Sequence, residues 1–182
     1  MLFLAIVLLQ LIVELQGQCF KLREWRSGDA AALQKHADNT NIFDFLFDRF
    51  PSPYTTEAAE TFINSKLAQD PMCNFVIEIE GELAGVIGVD FREDIYRKSP
   101  LLGYWISEMY WGRGIMPQAV KLVVAYAFSN FDIVRIQASV NGNNNRSMRV
   151  LEKAGFVKEG ILKSNIIKNG IILDEHVYGI VK

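Results

Sequence analysis

The segment Tyr104-Trp105-Ile106-Ser107-Glu108-Met109-Tyr110-Trp111-Gly112-Arg113-Gly114-Ile115-Met116-Pro117 limits what this chain can become more than any other. It begins as a β-rich run, turns at Gly112 and Gly114, and continues into Pro117–Asn130, where Val120, Val123, Val124, Ala127 and Phe128 recur on one helical face. A strand passing this sharply into a helix with one apolar face belongs to a layered structure of sheet and helices. Proline suits a first helical position, where its absent N–H would have no partner, so the helix is predicted to start at Pro117. A helix start offers free N–H groups and the positive end of the backbone dipole, which together suit phosphate oxygens. Gly112 and Gly114 permit the turn and the close approach of a ligand, and Arg113 adds charge. Two common phosphate loops are excluded. No GxxxxGK[ST] run exists, and the dinucleotide pattern GxGxxG fails because Pro117 stands at its third glycine.

The rest of the chain reads as one domain over residues 14–182 with no repeat or linker. Cys19–Trp25 is predicted as a strand, and a helix follows from Ser27-Gly28-Asp29 to Ala37. A phenylalanine-rich stretch over Asn41–Phe50 ends at Pro51 and Pro53, and Thr55 with Glu57 opens a helix to Leu67. Asn74–Ile79 and Leu83–Val89 form a hairpin across Glu80-Gly81-Glu82. Leu101–Ser107 and Ile133–Val140 are further strands, and Ser147–Ala154 is a short helix stopped by Gly155. Ile161–Lys168 and Ile171–Val181 flank Asn169-Gly170, a strong hairpin signal. This order is a mixed α/β arrangement, not the strict alternation of a doubly wound parallel sheet.

A second motif lies downstream: Asn144-Asn145-Arg146-Ser147, then Leu151-Glu152-Lys153-Ala154-Gly155-Phe156. Taken with Tyr110–Met116, it resembles the GNAT superfamily of acetyl-CoA-dependent N-acetyltransferases, especially its ribosomal-protein alanine acetyltransferase-like (RimJ/RimL-type) branch. There a Tyr-Trp-Gly-Lys/Arg-Gly turn precedes an Asn-x-x-Ser helix ending Leu-Glu-Lys-x-Gly-Phe. Leu22-Arg23-Glu24-Trp25 with Asp29, and Asp174-Glu175-His176-Val177-Tyr178, are similar to the branch as well. The resemblance implies the GNAT fold, a twisted and mostly antiparallel sheet flanked by helices, with a V-shaped opening between two central strands. It implies acetyl transfer from acetyl-CoA to a primary amine, a protein N-terminus or a small molecule, in a ternary complex. A catalytically weak or inactive CoA-binding module of the same fold is the alternative.

Carried over by position, the resemblance assigns the turn Trp111, Gly112, Arg113, Gly114, Ile115 and Met116 to the cofactor, with the N–H groups of Arg113–Met116 on its diphosphate. Trp105 and Ile106 would lie along the pantetheine arm, Asn144 would hydrogen-bond it, and Ser147 would sit near the sulfur as proton donor. Phe45, Phe47 and Tyr54 would border the acceptor groove. Asp174 matches an acidic position of the branch and is a candidate catalytic carboxylate, with anchoring of strand ends as its structural reading and Glu175 and Glu93 as weaker candidates. Leu101 stands where many members carry Glu, which removes one obvious base and is the feature that admits the inactive module. Ser147 also has a structural reading, as the cap of its helix.

Chemistry narrows the acceptor. The attacking amine must be neutral, and an α-amine at about pKa 7.7–8.0 needs less help from a base than a lysine at about 10.4. The oxyanion formed by attack would be stabilised by N–H groups at Trp105–Ser107, a contribution of about 3 kcal/mol per donor in other enzymes. His36 reads as a solvated surface residue and His176 as a strand-packing one.

A formal net charge of −2 argues against a nucleic-acid partner. Cys19 and Cys73 have no partners at metal-ligand spacing, so no metal is expected, and the thiols fit a reduced, cytoplasmic protein. Residues 1–13 form an apolar extension. It lacks the basic start and cleavage site of a secretory signal and is shorter than the roughly 20 residues that span a bilayer, so no stable membrane association is expected. Self-association follows only from the habit of the superfamily.

Overall fold

The computed structural model describes residues 13–182; the predicted extension lies outside the described residues except for Val13. A short hairpin comes first, β1 (Glu14–Gln16) against β2 (Lys21–Arg23). The strand expected over Cys19–Trp25 is confined to β2, β1 ahead of it is an added strand, and Gly17 makes the turn between them. Its N–H donates to the Phe20 carbonyl at 2.9 Å, and a β-carbon there would sit 2.3 Å from the Phe20 ring. Helices α1 (Ala30–Ala37), α2 (Thr40–Phe43) and α3 (Thr56–Leu67) follow, and Thr55 caps α3 by accepting from the Ala58 N–H. The remaining elements are β3 (Asn74–Ile79), β4 (Glu82–Asp90), β5 (Leu101–Ile106), α4 (Ile115–Asn130), β6 (Arg135–Asn141), α5 (Asn145–Ala154), β7 (Val157–Lys168) and β8 (Ile171–Val181).

The strands form one eight-stranded sheet in the order β1-β2-β3-β4-β5-β6-β8-β7, antiparallel except where β5 meets β6. Helices cover both faces. Phe75, Ile77, Ile87, Leu102 and Ile106 pack on one side with Ala119, Val120 and Val123 of α4. Val76, Leu83 and Val86 pack on the other with Leu33 of α1 and Ala59 and Ile63 of α3. Two covered faces explain why β3 and β4 read as nearly continuous apolar runs and not as alternating ones.

The feature that positions the site is a parting of strands. Against β4, β5 is paired along its whole length, from Asp90–Leu101 to Gly85–Ile106. Against β6 it makes a single parallel pair, Leu101 with Gln137. Beyond that pair β6 follows β8 instead, from Gln137–Gly179 to Asn141–Glu175, and a wedge opens in the middle of the sheet. Helix α4 starts at Ile115, two residues earlier than predicted, so Pro117 is the third helical residue. The position still suits proline, because first-turn N–H groups have no intrahelical partner. Among the described residues, no helix is long and apolar enough to cross a membrane.

A buried ionic cluster ties the start of the domain to the sheet. Arg23 of β2 holds Asp29 through both terminal nitrogens, at 2.9 and 2.7 Å, and its Nε donates to Glu78 of β3. All three side chains are buried. Asp29 also accepts from the Arg26 N–H at 2.8 Å and so shapes the turn into α1. Replacing Arg23 by Met should leave the buried Asp29 carboxylate without its ion partner and Glu78 with only Lys21 and Arg26 at 3.4 and 3.5 Å, and lower stability by about 3–5 kcal/mol in chemical denaturation. A loss below about 1 kcal/mol, the scale of an exposed ion pair, would contradict this reading of the cluster.

Candidate active site

The floor of the wedge is the free edge of β5. In an antiparallel ladder, alternate residues turn both main-chain groups to the same neighbour. The Ser107 N–H donates to the Ala84 carbonyl at 2.8 Å, so Trp105, Gly103 and Leu101 also bond to β4. Tyr104 and Ile106 therefore turn their main-chain groups into the wedge. This corrects the expectation that N–H groups from Trp105 to Ser107 face a ligand: those of Trp105 and Ser107 are committed to the sheet. The Ile106 carbonyl is also taken, by the Trp111 indole N–H at 2.9 Å.

At the open end, Glu108–Tyr110 make a single 3-10 turn, and the chain passes Gly112 and Gly114 at φ 76° and 75°. A β-carbon on either would meet nothing, so glycine is needed here for its left-handed backbone and not for space. Gly114 is the N-cap of α4 and has no side chain to cap with. Among the described residues, the N–H groups of Gly112, Arg113, Gly114, Ile115 and Met116 donate to no main-chain carbonyl outside the helix. Their side chains leave the turn clear. Ile115 and Met116 are buried in the core, and Arg113 lies over the Tyr110 ring at 5.2 Å. Trp111 braces the turn, with Arg146 over its ring at 4.5 Å.

The other wall is the start of α5. Asn144 is its N-cap, with Oδ1 accepting from the Ser147 N–H at 3.1 Å. The cap is therefore Asn144, and the reading of Ser147 as the capping residue falls. The Ser147 hydroxyl instead lies 2.8 Å from the Tyr104 hydroxyl, which comes across from β5. Tyr104 was not among the predicted site residues. Burial raises its phenol well above the ordinary tyrosine value.

On the opposite face of the sheet, Trp105 packs edge-on to Phe50 at 6.1 Å, and Phe50 lies 4.8 Å from Tyr54. The Trp105 side chain thus points to the α1/α3 side, away from the face that carries Tyr104 and Ile106. Tyr54 is buried, which pushes its hydroxyl up to about 12. Phe45 is half-buried and Phe47 is 69% exposed beneath Arg49, and it is Phe50, which was not among the predicted groove residues, that packs against Trp105. Gly103, on the same face as Trp105, has open space where a side chain would be.

Asp174 does not join Ser147. Its carboxylate accepts from Lys163 Nζ at 2.8 Å and from the Ser164 N–H at 3.0 Å, holding the bulge of β7 where Ser164 has φ 51°. The lysine keeps it below the ordinary aspartate range, which makes it a weak base. Glu175 is bonded to Asn165 at 2.6 Å. Among the described residues, no group of three or more His, Cys, Asp or Glu is set to hold a metal ion.

With this geometry in hand, comparison with known proteins gives a consistent result. The acetyltransferase (GNAT) domain family matches residues 20–157. The probable N-acetyltransferase YjcK of Bacillus subtilis is 35% identical over 92% of this chain and 97% of its own. Among solved structures, the ribosomal-protein-S5-alanine acetyltransferase of Vibrio fischeri superposes with a TM-score of 0.81 at 23% identity, covering 93% of this chain and 96% of that one. RimJ of Mycobacterium smegmatis, solved in complex with CoA-disulfide, gives 0.80 at 24% identity, covering 93% and 86%. Similarity at these identities shows a shared fold.

Behind the wedge, His36 departs most from expectation. It is only 5% exposed, with Nδ1 3.0 Å from Ser107 Oγ and Nε2 without a hydrogen-bond partner among the described residues. Burial holds the imidazole below the usual histidine value, against a weaker pull from Glu82. Above about pH 6.5 neither the folded nor the unfolded chain is protonated here; below it the unfolded chain takes up the proton first, so stability falls. Between about pH 7.5 and about pH 5.5 the protein should lose more stability than its His36→Gln variant. His176 is shared by both and cancels, so equal losses in parallel thermal melts would contradict the assignment.

Proposed function

The chain belongs to the acetyltransferase (GNAT) family and is an N-acetyltransferase, and from that premise we propose that it carries an acetyl group from acetyl-CoA, seated in the β5–β6 wedge, to an α-amine. The observation that carries this reading is the turn from Gly112 to Met116, a row of main-chain N–H groups on left-handed glycines at an uncapped helix start. Such a start favours a diphosphate by both hydrogen bonding and dipole. The residues present fit the cofactor. The free edge at Tyr104 and Ile106 suits the amide groups of a pantetheine arm, and the Asn144 side-chain N–H groups have no partner among the described residues.

Acetyl-CoA supplies an acyl thioester, and the protein supplies orientation and proton handling. The N–H groups of Ile106 and Tyr104 are the donors available to charge developing on the acyl oxygen. Ser147 Oγ releases its proton toward the sulfur while accepting one from the amine side, so the serine ends neutral and no alkoxide forms. Trp105, Phe50 and Tyr54 wall the side from which the amine arrives, with the space over Gly103 as its path.

The acceptor class follows from what the site lacks. Asp174 is spent on the β7 bulge, and Leu101, at the apex of the wedge, supplies no carboxylate. A site without a strong base suits an amine that is already partly neutral, which favours an α-amine at about pKa 7.7–8.0 over a side-chain amine at about 10.4. Mass spectrometry after incubation with acetyl-CoA should find acetyl groups on the N-terminus of short peptides, at a rate exceeding that on lysine side chains or polyamines. Faster acetylation of a polyamine at neutral pH would overturn the α-amine assignment while leaving the acetyltransferase intact.

A further inference from the structure

A hydrogen bond between the side chains of Tyr104 and Ser147 runs from the free edge of β5 to the first turn of α5 across the proposed sulfur position. We propose that Tyr104 is a positioning residue that fixes the Ser147 hydroxyl as a donor aimed into the wedge, a role that rests on the acetyl-transfer reading above.

Three observations support it. The two hydroxyl oxygens are 2.8 Å apart, against 3.3 Å from the phenol to the Ser147 carbonyl, so the side-chain pair is the better bond. A phenol is a stronger acid than an aliphatic alcohol, so Tyr104 donates and Ser147 Oγ accepts, leaving the serine proton free to turn elsewhere. The backbone of Ser147 is pinned as well, because its N–H is held by Asn144 Oδ1 at 3.1 Å. A first-turn serine would otherwise sample several rotamers or bond back to the helix. With backbone and oxygen both fixed, the remaining freedom is rotation of the O–H about its bond to carbon.

Tyr104 does not itself surrender a proton. Its side chain is half-buried against the core shared with α4, and the desolvation of its phenol opposes formation of a tyrosinate. The titratable neighbour that acts on Tyr104 is Tyr178, whose hydroxyl donates to Glu152, and Arg146, next to Ser147 in the chain, is turned onto the Trp111 ring. The sequence carries the same logic. Tyr104 must stand an even number of residues from Ile106 to share its face, and Ser147 must stand three after the cap residue Asn144 to occupy the first turn.

The test uses the full chain with Tyr104→Phe, Ser147→Ala and the double variant, and reads both turnover and binding. Tyr104→Phe should lower kcat by about tenfold, the scale of one hydrogen bond, with KM for the amine unchanged. In the double variant kcat should equal that of Ser147→Ala, because the tyrosine acts only through the serine. Calorimetry gives a readout independent of turnover: the preference for CoA over desulfo-CoA should shrink in Tyr104→Phe and in Ser147→Ala alike. Losses that multiply in the double variant, or an unaltered preference in Tyr104→Phe, would overturn the proposal. A protein with 3-fluorotyrosine in place of Tyr104 keeps the shape and answers the same question should the phenylalanine variant fail to fold. Its pH–rate profile should match the native one, and a basic limb moved to lower pH would show Tyr104 giving up its proton and so refute the positioning role. Failure of the native protein to bind CoA or to acetylate any amine would instead sink the functional reading beneath it.

Discussion

The parting of β5 from β6 after the single pair Leu101–Gln137 is the constraint on which the rest depends. A sheet loses hydrogen bonds wherever two central strands separate, and buried main-chain groups left without partners are costly. The chain limits that loss with one of its own side chains. Trp111 takes the Ile106 carbonyl. What remains, the N–H groups along the edge and around the glycine turn, is the binding capacity of the site. Both halves of the divergence are well anchored, β5 by its full pairing with β4 and β6 by its pairing with β8.

The proposed acceptor side is built on different physics. It is aromatic packing of Trp105, Phe50 and Tyr54 against the α1/α3 layer, linked to the β7–β8 hairpin through Lys168, whose ammonium meets Asp48 at 2.8 Å and lies over the Phe43 ring at 3.6 Å. Asn39 and Asn41 both hold the Glu108 carboxylate, joining the α1–α2 corner to the 3-10 turn ahead of Gly112. The aromatic wall around Trp105 and the glycine turn ahead of α4 are therefore mechanically joined.

Much of this was legible in the sequence because it is local. Gly112 and Gly114 announce a left-handed turn, and Gly155 at φ 97° announces a helix stop, whereas the cap of α5, read from the sequence at Ser147, lies at Asn144. The resemblance to a known family then supplied the partnership of the two motifs, which no spacing rule contains. What escaped was non-local. His36 reads as polar and therefore exposed until α1 is laid against β4 and Ser107 receives it. Phe50 could not be ranked above Phe45 or Phe47 before the loop was folded against Trp105. The division of β5 into sheet-facing and wedge-facing groups required its register with β4, which decides that Ile106 and Tyr104 are available while Trp105 and Ser107 are not. Asp174 is a candidate only by its match to an acidic position of the family; that it anchors strands is its other reading, but its partner Lys163 lies across a bulge that no pattern of alternation reveals.

The most direct measurement is an amide-resolved NMR titration of the purified protein with coenzyme A. Binding through the turn requires the largest amide shifts at Gly112, Arg113, Gly114, Ile115 and Met116, with a second set at Tyr104 and Ile106. Saturable binding that leaves those amides unmoved, or no binding at all, would contradict the claim that the turn ahead of α4 holds the cofactor's diphosphate.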